Sequence, residues 1–263
     1  MTGVALARGS AGEIFRVVRG VARSLRIYYA APRRRRAMDR LYARFVKPGD
    51  LVFDIGSHVG DRIASFRRLG CRVVAVEPQP ALLRVLRALY GRDPTVTIEP
   101  AALGARPGTV ELMLNIDNPT VSTASHDFIA AASGAAGWSR ERWTKRLPVP
   151  MTTLDALIAR HGVPRFVKID VEGYEADVLD GLSTALPGLS FEFTTIQKEV
   201  ARRSLARLAA LGRYRFNAAL GESQSLLHAQ WLDRNAVEAW LEALPHEANS
   251  GDIYALRADE AAA

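Results

Sequence analysis

The chain has 263 residues, 48% of them hydrophobic and 24% charged, which suits one large α/β domain or two small ones and is ample for a core. A single cysteine, Cys71, excludes an internal disulfide and a multi-cysteine zinc site and fits a reducing cytoplasm. The net charge of +7 hides an asymmetry: residues 1–48 carry twelve Lys/Arg against Glu13 and Asp39, a balance of +10, which leaves −3 for the rest.

The expected division is therefore a basic N-terminal helical arm (1–48) and a domain (49–263). No apolar run reaches the roughly 18–20 residues that span a bilayer, and residues 1–15 lack the charged leader and long apolar stretch of a secretory signal. The expected location is cytoplasmic. Ile14, Val18, Val21, Leu25 and Tyr28 recur at helical steps, with Arg16, Arg19, Arg23 and Arg26 opposite, which predicts a basic amphipathic helix over 12–30. Pro32 and then Arg33–Arg36 follow. Two fates stay open for this helix: packing on the domain, the commoner one, or peripheral contact with the inner face of an anionic membrane. Nucleic acid is not an expected partner, since no aromatic or motif support for it is present.

From residue 50 apolar runs alternate with helical patterns. Strands are predicted at 51–55, 72–77, 95–103, 109–115, 165–170, 189–194, 213–220 and 252–257. Helices are predicted at 59–69, 79–90, 151–162, 174–186, 197–211 and 233–243. Strand–helix alternation with near-continuous apolar strands argues a doubly wound, mostly parallel sheet with helices on both faces. Residues 116–147 break the pattern and are expected to form a lid-like insertion, with Trp138 and Trp143 weighing against full disorder.

VFDIGSHVGD (52–61) points to a ligand site. Asp54 stands near a strand end, and Gly56 and Gly60 flank the turn into a helix, where small residues and free N–H groups let a ligand approach. Glu77 ends the next strand, where a carboxylate accepts hydrogen bonds from two ribose hydroxyls. A nicotinamide dinucleotide prefers G-x-G-x-x-G; here the middle glycine is missing and an acid precedes the turn. An acid suits the ammonium of S-adenosylmethionine better than a pyrophosphate. A nucleotide-binding oxidoreductase and a non-catalytic cofactor-binding module remain the alternatives.

The ordered set VFDIGSHVG, VVAVEPQP, TTLDAL and VKIDVEGYEADVLDG resembles the FkbM family of S-adenosylmethionine-dependent methyltransferases over about residues 50–195. The resemblance implies a class I, Rossmann-like methyltransferase fold: a seven-stranded sheet, six strands parallel and one late strand antiparallel. It implies O-methyl transfer to a hydroxyl of a sugar, glycolipid or secondary metabolite. It places Asp54, Gly56 and Gly60 at the methionine end of the cofactor, Glu77 at the ribose, and Glu99 and Ala101 beside the adenine, with Ser57, His58 and Pro78 as further cofactor-binding positions. Ser57-His58 departs from the family's frequent Ala-Asn.

FVKIDVEGYEADVLDG (166–181) crowds Asp170, Glu172, Glu175, Asp177 and Asp180 at a strand end. Asp170 and Glu172 are the expected catalytic carboxylates, with His126 a further base candidate. The competing role for both acids is to bind backbone amides around Gly173 and fix the turn. Asp170, Glu172 and Glu192 could together offer oxygen to a metal, but the spacing is not metal-specific, so no metal is expected. Lys168 is expected to snorkel or to partner a carboxylate.

Overall fold

The structure, a computed structural model, describes residues 11–260, without the side chains of residues 13 and 14. Residues 1–10 of the basic arm, and Ile14 of its predicted apolar face, lie outside that description.

Two helices open the chain, α1 (Ala11–Tyr29) and α2 (Pro32–Tyr42). Strand β1 (Leu51–Ile55), α3 (Asp61–Arg68), β2 (Arg72–Val76), α4 (Pro80–Tyr90) and β3 (Val96–Glu99) form the first half of the sheet. Then come β4 (Ala102–Leu103), β5 (Gly108–Leu114), α5 (His126–Ala132), β6 (Lys145–Thr152) and α6 (Leu154–His161). The second half follows as β7 (Phe166–Ile169), α7 (Glu175–Asp180), β8 (Gly188–Thr194), α8 (Lys198–Leu211), β9 (Tyr214–Leu220), α9 (Arg234–Ala243) and β10 (Ser250–Arg257).

The main sheet has seven strands in the order β3-β2-β1-β7-β8-β10-β9. Only β10 runs antiparallel, pairing with both β8 and β9. This is the class I methyltransferase topology. The central strands β1, β2 and β7 are largely apolar and buried because both faces are covered. Phe53 and Ile55 of β1 face one core with Leu157 of α6, Val178 of α7, Leu205 of α8 and Val237 of α9. Val52 faces the other, with Met38 and Tyr42 of α2 and Ile63 and Phe66 of α3. The period of two thus feeds two cores, each buried large side chain contributing about 1.5–3 kcal/mol.

Several boundaries differ from expectation, and the strand expected over 95–103 divides into β3 and β4, which lie in different sheets, while β6 forms where no strand was expected. Met151 and Thr152 end β6, and the helix starts only after Thr153, whose hydroxyl accepts the Ala156 N–H at 3.1 Å. Helix α7 stops at Asp180, because Gly181 lies where an added Cβ would meet the Gly104 carbonyl at 2.3 Å. Pro32 opens a second helix through the Arg33–Arg36 run, at the first-turn position that proline tolerates.

Residues 116–144 are folded. A 3-10 turn at 119–121 and α5 enclose a small core of Val121, Phe128, Ala132 and Trp138. The Trp143 indole donates to the Val121 carbonyl at 2.7 Å. A second sheet, in the order β4-β6-β5, lies beside this segment. Helix α1 docks on the 3-10 turn. A Cβ on Gly20 would lie 3.0 Å from Pro119, and Arg16 and Arg19 both bridge to Asp117. At its other end the Tyr29 hydroxyl donates to the Val59 carbonyl at 3.0 Å and lies 2.7 Å from the Tyr90 hydroxyl.

Candidate active site

The carboxyl ends of β1, β2 and β7 meet at the edge of the sheet where doubly wound folds bind ligands. The turn after β1 is built by its backbone. Gly56 has φ +81, and a Cβ there would stand 1.8 Å from the Asp170 carbonyl oxygen, so only glycine lets the β1 and β7 turns touch. The Gly56 and Ser57 N–H groups donate to the Val76 carbonyl at 2.9 and 3.0 Å, and the Ser57 hydroxyl donates to the Asp54 carbonyl at 2.7 Å. Gly60, also at positive φ, starts α3 under the Tyr90 ring.

Two acids face this turn. Glu77 is almost wholly buried and is clamped by backbone: the His58 N–H donates to Oε2 at 3.0 Å and the Gln79 N–H to Oε1 at 2.7 Å. Burial pushes its carboxyl up to about 8 against those two donors. Asp54 is buried too, and its Oδ2 has no hydrogen-bond partner. Burial lifts it to about 7, with Arg62 opposing. The His58 ring is held down to about 4 by burial, so it is neutral near pH 7. It meets the Tyr28 ring edge-on at 5.3 Å.

At the β7 end the acids divide by partner. Buried Lys168 donates to Asp170 at 3.2 Å and to Asp252 at 2.8 Å, so it partners carboxylates rather than reaching solvent. Burial opposes ionisation of Asp170, but Lys168 and Arg62 outweigh it and hold the carboxyl below its usual range. Glu172 shifts the other way: burial, then the charges of Asp170 and Glu175, push it well up. Glu192 on β8 is raised by burial and by Glu172 and Asp170. The amides around Gly173 are bound by Glu175, which accepts from Val171 N–H and Gly173 N–H, each at 3.0 Å. Asp170 and Glu172 do not perform that task. Asp177 and Asp180 pair with Arg203 at the surface.

Two chambers result. One runs past Glu77 and Pro78 and is walled by Ala101, Leu103, Leu112 and Tyr174. The other is lined by Asp54, Asp61, Arg62, Glu192, Glu222 and Tyr28. They share Gly56, His58, Thr120, Asp170 and Glu172.

A family profile described as the methyltransferase FkbM domain matches residues 54–234, more than half of the chain. The chain belongs to the FkbM methyltransferase family. The matched region is a methyltransferase domain, which sets aside the oxidoreductase reading. The chain is 25% identical over 171 residues to the hexuronic acid methyltransferase AglP of Haloferax volcanii, a match covering 64% of this chain and 65% of that protein. Among solved structures it is similar to an O-methyltransferase from Bacillus cereus in complex with SAH (11% identity, 96% and 93% of the two chains, TM-score 0.45). It is also similar to the O-methyltransferase TomG from Streptomyces achromogenes in complex with SAM (10% identity, 96% and 92%, TM-score 0.42).

Three sequence-predicted positions lie outside the chambers: Gly60, which starts α3, and two more. His126 is exposed at the start of α5. Ser125 caps that helix by accepting the Phe128 N–H at 3.0 Å, which turns Phe128 into the core and His126 outward. The Glu99 carboxylate points away to His161 (2.8 Å) and Arg160 (3.3 Å), while its carbonyl accepts the Glu77 and Ala101 N–H groups. Ala101 itself lines the first chamber.

Arg62, which lines the acidic chamber, and Arg34, which stands behind its wall, escaped the sequence. Arg62 is mostly buried and reaches Asp61 at 3.0 Å, Glu222 at 3.5 Å and Asp170 at 3.9 Å. Arg34, from the arginine run of α2, donates to Glu222 at 2.7 Å and Asp61 at 3.2 Å and lies 4.6 Å over the Tyr28 ring. A charged face on a short helix carries no signal of burial, so nothing marked these residues.

Proposed function

We propose that the methyltransferase acts on a hydroxyl of a sugar, glycolipid or secondary metabolite, held in the acidic chamber and methylated where the two chambers join. The observation that carries this reading is that junction: Asp170 and Glu172 line both chambers. The first chamber fits an adenosine. Glu77 keeps a lone pair on each oxygen for the two ribose hydroxyls, Pro78 borders them, and the apolar wall at Ala101 suits a base. The free Oδ2 of Asp54 fits the ammonium of the methionine end, with Gly56, Ser57, His58 and Gly60 shaping the turn around it.

When bound, S-adenosylmethionine supplies a methyl group from a sulfonium sulfur to an acceptor oxygen in line with it. The chain has to align that oxygen and take its proton. Asp170, kept ionised by Lys168 and Arg62, accepts the hydroxyl hydrogen bond. Glu172, whose affinity for a proton is raised, receives the proton. Carboxyl groups pushed apart in this way divide orientation from proton transfer.

A chamber rich in carboxylates accepts hydrogen bonds from neutral hydroxyls and repels an anionic acceptor. The name of AglP, a hexuronic acid methyltransferase, supports the sugar class, while the charge of that acid is one this chamber would repel. The test is a pooled acceptor screen that detects S-adenosylhomocysteine, with uronic acids as one arm and neutral glycans and polyols as another. Turnover is expected with neutral hydroxyls. Turnover confined to carboxyl groups, giving methyl esters, would sink the hydroxyl assignment.

We also propose that α1 touches an anionic membrane surface. Phe15, Val18 and Ile27 are 67%, 59% and 51% exposed, beside exposed Arg19, Arg23 and Arg26. Among the described residues no helix is long and apolar enough to cross a membrane. Co-sedimentation with anionic vesicles should fall on replacing Phe15 and Val18 with Ser; equal partition of both proteins ends the proposal.

A further inference from the structure

We propose that Asp170, Glu172 and Glu192 together bind one divalent, oxygen-preferring cation at the junction of the two chambers. One carboxylate oxygen from each of the three lies within 4.8 Å of the others. Oxygens on one cation stand at most two bond lengths apart, about 4.2 Å for magnesium and up to about 5 Å for calcium. Small side-chain movements therefore bring the set onto either ion.

Two further observations point to a ligand. Glu172 is only 7% exposed, yet its carboxylate takes no hydrogen bond or ion pair among the described residues. Glu192 Oε2 is wholly occluded and also lacks a partner. Neither is an accident of a loose surface. Asp170 and Glu192 continue the register of adjacent strands, Lys168 opposite Ser190 and Ile169 opposite Phe191. Glu172 is held in its turn by the Thr123 hydroxyl on its carbonyl at 2.6 Å and by the Glu175 carboxylate on the neighbouring amides.

The charges around the site give the valence. Lys168 lies between Asp170 and Asp252. Arg62 and Arg34 serve Asp61 and Glu222. Asp54 is assigned above to the cofactor's ammonium. Glu172 and Glu192 are left without a counter-charge, and a divalent cation supplies it. The donor set is all carboxylate, with no cysteine or histidine, which suits magnesium, manganese or calcium and not zinc. A cation there would take one oxygen of each carboxylate and bind the acceptor oxygen, leaving the second Glu172 oxygen to receive the hydroxyl proton, so the inference rests on the proposed methyl-transfer site and sharpens it.

The test uses the full chain, stripped with chelator and titrated with manganese while free Mn²⁺ is followed by electron paramagnetic resonance. About one ion per chain should leave the free signal, and magnesium should compete. Glu192→Gln and Glu172→Gln should each weaken manganese binding by about tenfold or more. Calorimetry with S-adenosylhomocysteine on the same samples should give one affinity for wild type and Glu192→Gln, whose side chain lines, of the two chambers, only the acidic one. Glu192 sits in regular strand, so its Gln variant is expected to fold even if the turn variant does not. Manganese remaining free over wild-type protein overturns the proposal, and so does tight binding retained by both variants. Loss of S-adenosylhomocysteine binding by wild type would instead bring down the cofactor site itself, whatever manganese does.

Discussion

The two chambers are built by different means. The Glu77 chamber is made of backbone: both oxygens of Glu77 are fixed by N–H groups within nineteen residues of it, and Gly56 exists to let two turns touch. The acidic chamber is made of side chains from far apart: Tyr28, Arg62, Asp170, Glu192 and Glu222 come from α1, α3, β7, β8 and the loop after β9. Tyr28 even lies outside the family match, which starts at residue 54. A cofactor common to a family can be held by turns that are part of the fold. A wall of long-range side chains can change without touching those turns.

Replacing Asp170 with Asn should split the chambers most sharply. Turnover is expected to fall by about 10²–10⁴-fold, with affinity for S-adenosylhomocysteine unchanged. A parallel loss of affinity would break the division, because Asp170, which borders both chambers, would then hold the cofactor as well as the acceptor. Glu77→Ala should do the reverse, weakening S-adenosylmethionine binding by about 10–100-fold through the loss of hydrogen bonds to a charged group. Calorimetry reads this directly, and wild-type affinity would remove Glu77 from the site.

The next effect is one of pH. Burial makes the folded, ligand-free chain hold protons on Asp54 up to about 7 and on Glu77 up to about 8. A bound ammonium and ribose hydroxyls favour the ionised forms. Affinity should therefore rise with pH, by up to about a hundredfold per unit below 7, where both acids shed a proton, by up to about tenfold between 7 and 8, and level off above 8. Binding should release protons, measurable as a buffer-dependent heat. The same shifts act on stability with the opposite sense. Groups whose folded values are raised stabilise the fold fully only below their unfolded values, near 4, and this stability is lost as pH rises through about 7 to 8. The melting temperature of the ligand-free protein should drop over that interval, and less so with cofactor present; a flat profile would contradict the burial of these acids.

What the sequence made legible follows the same division. Periodicity and the glycine turn predicted the sheet, the two turns and Glu77, because each is written in a contiguous stretch. The acids of 166–181 could be separated only by geometry. Glu175, ambiguous in sequence, binds the turn amides that Asp170 and Glu172 were candidates for. His126 stood in an irregular segment that invited a catalytic role, and a helix cap turned it to solvent. Arg62 and Arg34 were indistinguishable from solvated arginines, because burial by distant elements leaves no mark on local spacing.

Tyr28 gives the smallest expected effect and the finest test of the comparison. Its ring bridges the arm and the acceptor chamber, under Arg34 and edge-on to His58. If the chamber is a set of separable side chains, Tyr28→Ala should leave S-adenosylhomocysteine affinity alone and lower kcat/KM for an acceptor found in the screen by about three- to tenfold, the worth of an aromatic contact. The loss should appear in KM, since the ring touches neither the reacting oxygen nor its proton. A loss confined to kcat would mean that the ring positions His58 or Asp170 instead, and the acceptor chamber would then behave as one unit like its neighbour.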